Sequence, residues 1–199
     1  MNRIAQLDPA TATGKTKQLF DGVQAKLGIV PNLFRVLGNS PAALEGYMNF
    51  SGALAGGVLS AKVREQIALA VAEINDCTYC RSAHAFIGGK VGLTAREIAD
   101  ARQVSATDER TAAILDLARS IVVQRGELSE TEFKAARAAR LTDAEIVETT
   151  ANVALNILTN YVNHVAQTVV DFPEIKPVLA EATAEAPAEA CTAGGCGCA

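Results

Sequence analysis

Three stretches of this chain carry the same signature of a helix start. A hydroxyl residue is followed three positions later by glutamate, at Thr94 and Glu97, Ser129 and Glu132, and Thr142 and Glu145. In such a capping box the hydroxyl and the carboxylate satisfy the amide groups that a helix leaves unpaired at its start. Ser60 and Thr107 are further N-cap candidates, and Pro31 and Pro41 suit first-turn positions behind Val30 and Ser40. Between these marks Val, Ile and Leu fall at helical spacing and not in the alternation of a strand. The pattern predicts an all-α bundle with helices at about 12–27, 31–38, 41–56, 61–75, 77–89, 95–103, 108–125, 130–139 and 143–171. A chain of 199 residues is long enough to bury its own core without disulfides or metal.

Charge excludes some partners. The net charge is −4 and no basic patch stands out, so nucleic acid and anionic membrane surfaces are not expected. Residues 1–13 hold one arginine and no apolar run, unlike a signal peptide. The most apolar helix, around residues 153–170, is interrupted by Asn156, Asn160, Asn163 and His164, so no membrane span is expected. A cytoplasmic location follows, where thiols stay reduced unless they cycle.

The five cysteines are unevenly placed: Cys77 and Cys80 form a C-x-x-C pair, while Cys191, Cys196 and Cys198 crowd the last nine residues. A secreted disulfide framework would spread them along the chain. After Pro173 the composition turns to Ala, Glu, Thr, Pro and Gly, which cannot form a core. The organisation expected is one helical domain over residues 1–179 and a disordered, cysteine-bearing tail over 180–199.

The segment from Glu73 to His84 carries the chemistry. With Asn75 or Asp76 as cap and a helix beginning at Cys77, the side chains of Cys77, Cys80 and His84 share one face. The positive end of a helix lowers a thiol pKa from its usual value of about 8.5, and the thiolate is the nucleophile. An imidazole one turn away can take up or pass on the proton. A second cysteine three residues off can capture a sulfenic acid as a disulfide. Two plainer readings stand beside this one. The pair and His84 would supply three zinc ligands, with no obvious fourth, or the two cysteines are inert core residues.

Glu65, Cys77, Cys80 and His84 match the pattern E-x11-C-x-x-C-x3-H, and through them the chain resembles the alkylhydroperoxidase AhpD-like proteins of the carboxymuconolactone decarboxylase superfamily. The likeness is strongest over residues 60–100 and extends to the segments 155–164 and 170–173, which look like the peroxidase-related members. The resemblance implies an AhpD-like helical bundle and a thiol peroxidase. Cys80 would attack the peroxide bond, Cys77 would resolve the sulfenate, Glu65 would be the base and His84 the proton relay. It implies no bound cofactor, a dithiol reductant such as a lipoylated carrier protein, and a homo-oligomer, trimeric or hexameric. Tyr79 stands where the hydroperoxidases that name the family carry histidine, which bears on the lipoyl-linked donor more than on the redox chemistry. Periodicity alone does not separate Glu65 from Glu73 as the base, and either is as readily a solvated carboxylate.

Glu148, Asn152, Asn156, Asn160 and His164 recur every fourth residue and form a polar ridge on an apolar helix. The ridge faces the thiol site or a subunit axis, or it is a solvent-facing stripe. His164 is read as a hydrogen-bonded structural histidine. The tail cysteines 191, 196 and 198 suit a soft metal ion, an internal dithiol that reduces the Cys77–Cys80 disulfide, or neither. Two other functions compete with peroxide reduction: a lactone decarboxylase in which the cysteines are spectators, and a redox or soft-metal sensor. Truncation after Ala180 tests the tail. Unchanged turnover with an external dithiol, together with unchanged metal content, removes both of its active readings.

Overall fold

The structure is a computed structural model that describes residues 3–178. The tail expected from residue 180, with Cys191, Cys196 and Cys198, lies outside the described residues. Among those described there are nine helices and no strand: α1 (Gly14–Leu27), α2 (Asn32–Leu37), α3 (Pro41–Ala55), α4 (Ala61–Ile74), α5 (Thr78–Lys90), α6 (Ala95–Arg102), α7 (Glu109–Gln124), α8 (Glu130–Ala138) and α9 (Asp143–Ala166). None is long and apolar enough to cross a membrane.

The helix starts follow local side-chain chemistry. All three capping boxes form with both halves present, at Thr94, Ser129 and Thr142. Ser60 accepts from the Val63 amide, and Ser40 from that of Ala43 with Pro41 in the first turn. Three ends differ from expectation. Asp108, not Thr107, caps α7. Its carboxylate takes both the amide and the hydroxyl of Thr111, at 2.8 and 2.7 Å, and a charged acceptor also suits the positive helix end. Pro31 stands just before α2, not inside it. α9 stops at Ala166, five residues short of the predicted 171. Gln167 turns left-handed, with φ of 50°, and the Thr168 amide closes back on the Asn163 carbonyl at 3.1 Å, which ends the helix.

α4 is the central element, packed by α5, α6, α7 and α9. Its residues from Ile67 to Ala72 are buried all round, as a helix at the middle of a bundle must be. One apolar cluster joins Ile67, Leu69 and Val71 to Leu115, Ala118 and Val153. A second gathers Phe20, Leu33, Leu37 and Leu44 around Cys77, Tyr79 and Cys80. The thiols thus sit where the α1–α3 layer meets the central helices.

Glu148, the first residue of the predicted ridge, anchors the α3–α4 turn. Its carboxylate accepts from the amides of Val58 and Leu59 at 2.8 and 3.1 Å. The turn approaches so closely that a Cβ on Gly57 would collide with that carboxylate. Gly57→Ala is therefore expected to lower the urea midpoint more than Thr142→Ala, which removes one cap and costs about 1 kcal/mol. Equal midpoints for the two variants would contradict the close approach.

Candidate functional site

The site is built at the turn between α4 and α5. Asn75 ends α4, Asp76 adopts a left-handed conformation with φ of 52°, and the Cys77 amide closes the turn onto the Ala72 carbonyl at 2.9 Å. Aspartate and asparagine tolerate that conformation better than most side chains. The predicted cap, Asn75 or Asp76, is not the one used: Cys77 itself is the N-cap, and its Sγ accepts the Cys80 amide at 3.3 Å. The two alternatives are engaged elsewhere. The Arg81 guanidinium donates to Asp76 at 2.8 Å, and the Asn75 amide donates to Asn160 Oδ1 at 2.9 Å.

Both cysteines are free thiols and buried. The surroundings treat them oppositely. Hydrogen bonding from the Cys80 thiol, and then from the Cys80 amide, outweighs burial and brings Cys77 down to about 7. Burial comes first for Cys80 and, with the neighbouring Cys77 sulfur, holds its thiol well above the ordinary range; contacts from Asn163 and Asn160 pull the other way. The first charge on the pair therefore settles on Cys77, with Cys80 keeping the shared proton.

His84 and Glu65 meet as the sequence pattern suggests. His84 Nδ1 donates to Glu65 Oε2 at 2.8 Å. Burial disfavours a charged ring, yet the Glu65 carboxylate overrides it and the His84 pKa is raised. Glu73 is placed differently. Its Oε1 accepts the Val178 amide at 2.8 Å, its Oε2 accepts Arg102 Nε at 3.0 Å, and Arg81 Nε lies 3.8 Å away. Glu73 thus balances two arginines and holds the C-terminal segment, which leaves Glu65 as the carboxylate beside the imidazole.

Most of the α9 ridge faces inward. Asn152, Asn156 and Asn160 are buried, so the solvent-stripe reading fails for them. Asn163, which the sequence reading noted only as an interruption of an apolar run, donates from Nδ2 to Cys80 Sγ at 3.3 Å. Its position three residues after Asn160 was the available signal, since both then share a face. His164 is exposed and donates from Nε2 to the Asn75 carbonyl at 2.9 Å, as a structural histidine does. From there its ring also favours the charge on Cys77.

A cavity of about 620 Å³ opens beside the Glu65–His84 pair. Its walls are apolar, with Val23, Leu33, Phe34, Met48, Leu54 and Leu155, and its polar lining includes Glu65, His84, Tyr47, Asn152 and Asn156. Tyr47, absent from the sequence reading, is pushed up to about 12, first by burial and then by the charges of Glu65 and Cys80, so its hydroxyl stays protonated. Tyr79 is a strut: its hydroxyl accepts the Leu33 amide at 3.1 Å, and its ring meets that of Phe172 edge-on at 5.8 Å. Burial raises its pKa too. Among the described residues no three His, Cys, Asp or Glu side chains are gathered to hold a metal, the set of Cys77, Cys80 and His84 included.

An all-helical fold with a C-x-x-C pair at a helix start and a Glu–His pair beside it is the arrangement that the resemblance to the AhpD-like proteins implies. Comparison agrees. The model of the carboxymuconolactone decarboxylase family matches residues 41–123, a span that holds all four residues of the motif. A peroxidase-related protein from Ralstonia eutropha JMP134, described as an alkylhydroperoxidase AhpD core, is 27% identical with a TM-score of 0.74, covering 85% of this chain and 92% of that one. A peroxidase-related protein from Silicibacter sp. TM1040 is 24% identical with a TM-score of 0.72, over 84% and 92% of the two chains. The debrominase Bmp8, solved with 2,3,4-tribromopyrrole, shares the fold at 16% identity and a TM-score of 0.73, over 85% and 91%. No curated protein matches the chain. By the family model and these folds the chain is similar to the AhpD-like proteins of the carboxymuconolactone decarboxylase superfamily.

The opposite pKa directions have a measurable consequence. Lowering the Cys77 pKa means that its thiolate is present from about pH 7 upward. Alkylation of Cys77 in the otherwise native chain should therefore rise through neutral pH, with Cys80 labelled only at higher pH. Mass spectrometry of iodoacetamide adducts across pH checks this; equal labelling of the two sulfurs at pH 7 would overturn it.

Proposed function

We propose that this protein reduces hydroperoxides with the Cys77–Cys80 pair at the expense of a dithiol. The observation that carries the reading is the Cys77 sulfur, held by the Cys80 amide at the start of α5, close to a hydrogen-bonded Glu65–His84 pair that lines an organic-sized cavity.

The cycle is balanced by groups already in place. The shared proton passes from Cys80 to Cys77, leaving the charge on Cys80. The Cys80 thiolate attacks the peroxide: an S–O bond forms, the O–O bond breaks, and the departing alkoxide takes a proton from the His84 imidazolium. The Glu65 carboxylate favours that imidazolium before transfer. His84 then accepts the Cys77 proton, and the Cys77 thiolate attacks the Cys80 sulfur. An S–S bond forms, the S–O bond breaks, and the hydroxide leaves as water with the proton on His84. An external dithiol restores the pair by exchange. One hydroperoxide and one dithiol give one alcohol, one water and one disulfide.

Cys80 as the attacking sulfur draws support from the family resemblance and from the Asn163 amide, which donates to its Sγ at 3.3 Å. Assembly with further copies of the chain draws support from the outer face of α9. There Val147, Leu158, Tyr161 and Val165 stand exposed on a stripe completed by Ala151 and Ala154, at alternating four- and three-residue steps.

Cys80→Ser should abolish dithiol-dependent consumption of cumene hydroperoxide, and Glu65→Gln should slow it by about 10²-fold. Glu73→Gln should lower stability and leave the rate per folded molecule nearly intact. Full turnover by the Cys80→Ser protein would remove the reading.

A further inference from the structure

Two polar atoms beside Cys80 lack partners. Asn163 donates its amide to Cys80 Sγ, and the other atom of that amide, Oδ1, is buried and unbonded. Asn160, one of the two asparagines that favour charge on Cys80, is held from one side, its Oδ1 accepting from Asn75, while its Nδ2 is buried without a hydrogen bond. Asn160 is 0% exposed and Asn163 5%. An unpaired buried donor and acceptor are costly, and a native protein keeps few of them.

We propose that Asn160 and Asn163 form a cradle that receives the sulfenic acid oxygen on Cys80 during peroxide reduction. The inference rests on the peroxide-reducing reading and adds two residues to it. A thiol offers a weak donor and a weak acceptor, whereas a sulfenic acid adds an oxygen that accepts and an O–H that donates. Asn160 Nδ2 supplies the donor for that oxygen, and Asn163 Oδ1 the acceptor for the hydroxyl. Before reaction, Asn163 Nδ2 favours the thiolate on Cys80 in the same way that preorganised donors favour an oxyanion.

The cradle also accounts for a division between the two sulfurs. The start of α5 stabilises charge on Cys77, and nothing in α5 does as much for Cys80. The donors that serve Cys80 come from α9, across the helix interface, so charge transfer from Cys77 to Cys80 along the shared proton has a destination. The Asn160 amide cannot swing away freely, because Asn75 grips its oxygen, and Asn75 is in turn fixed through its carbonyl by His164 at 2.9 Å.

The test uses the full chain carrying Cys77→Ser, with Cys191, Cys196 and Cys198 also replaced by serine so that no cysteine resolves a sulfenic acid on Cys80, cumene hydroperoxide as oxidant and dimedone as the trap read by mass spectrometry. Adding Asn163→Leu or Asn163→Asp should slow formation of the Cys80 adduct at least about tenfold, the loss of one hydrogen bond to a charged group. Asn160→Asp keeps an acceptor for Asn75, replaces the unpaired N–H with an acidic oxygen, and should shorten the lifetime of the sulfenic acid. Cys77 alkylation in the Cys80→Ser background should not change with any of the three, which a general loss of structure would not spare. If Asn163→Leu does not fold, the isosteric Asn163→Asp and Asn160→Asp variants decide. Unchanged adduct rates and lifetimes in folded variants would overturn the cradle and leave the peroxidase reading standing. A sulfenic acid found on Cys77 in Cys80→Ser protein, and not on Cys80, would do the same. Absence of a sulfenic acid in both the Cys77→Ser and the Cys80→Ser protein would overturn the reading and the cradle together.

Discussion

One backbone hydrogen bond, from the Cys80 amide to Cys77 Sγ, sets the terms for the rest of the site. It begins α5, since it satisfies one of the amides a helix leaves unpaired at its start. It brings the two sulfurs of the motif together, and it gives anionic sulfur a donor at the positive end of a helix. Most N-caps are oxygen, so a sulfur there joins the local need of the helix to the chemistry. The bond holds because Asp76 turns left-handed and because α4, buried from Ile67 to Ala72, gives that turn a fixed base.

Charge near the sulfurs is sorted by its neighbours. Glu65 meets only the imidazole among the hydrogen bonds it makes, and the pair lines the cavity. Glu73, two turns along the same helix, serves Arg81, Arg102 and a backbone amide. Arg81 is itself buried, and an unpaired charge there would be expensive, so its ring of partners is a structural requirement. Two carboxylates that look alike in the sequence are thus separated by which cations the tertiary fold brings to each.

The helices and the motif were legible in the sequence because both are local. Capping boxes at Thr94, Ser129 and Thr142 involve residues three apart, and the spacing of Cys77, Cys80 and His84 fixes their shared face once a helix is granted. The cap at Cys77 was not legible, since the usual rule prefers the asparagine and aspartate before it, and these are occupied by Asn160 from far along the chain and by Arg81 from the next helix. The contribution of α9 was half legible. A four-residue period revealed Asn152, Asn156 and Asn160, while Asn163 lay off that period, and its contact with Cys80 spans 83 positions of chain. Tyr47 reaches the cavity from α3, and no local pattern ties it to the cysteines.

The C-terminal segment has a bearing on how the molecule can be handled. Ile175 donates to the Ser82 hydroxyl at 3.1 Å, Arg102 reaches the Lys176 carbonyl, and Val178 donates to Glu73, so the strand of chain leaving the bundle is stitched across the base of the thiol-bearing helix. Whatever is fused past that stitch loads a segment that is tied to the helices on either side of the thiol-bearing turn. A purification handle or a fluorophore is therefore better carried at the opposite terminus, where its bulk and its own reducible groups start from a different anchor.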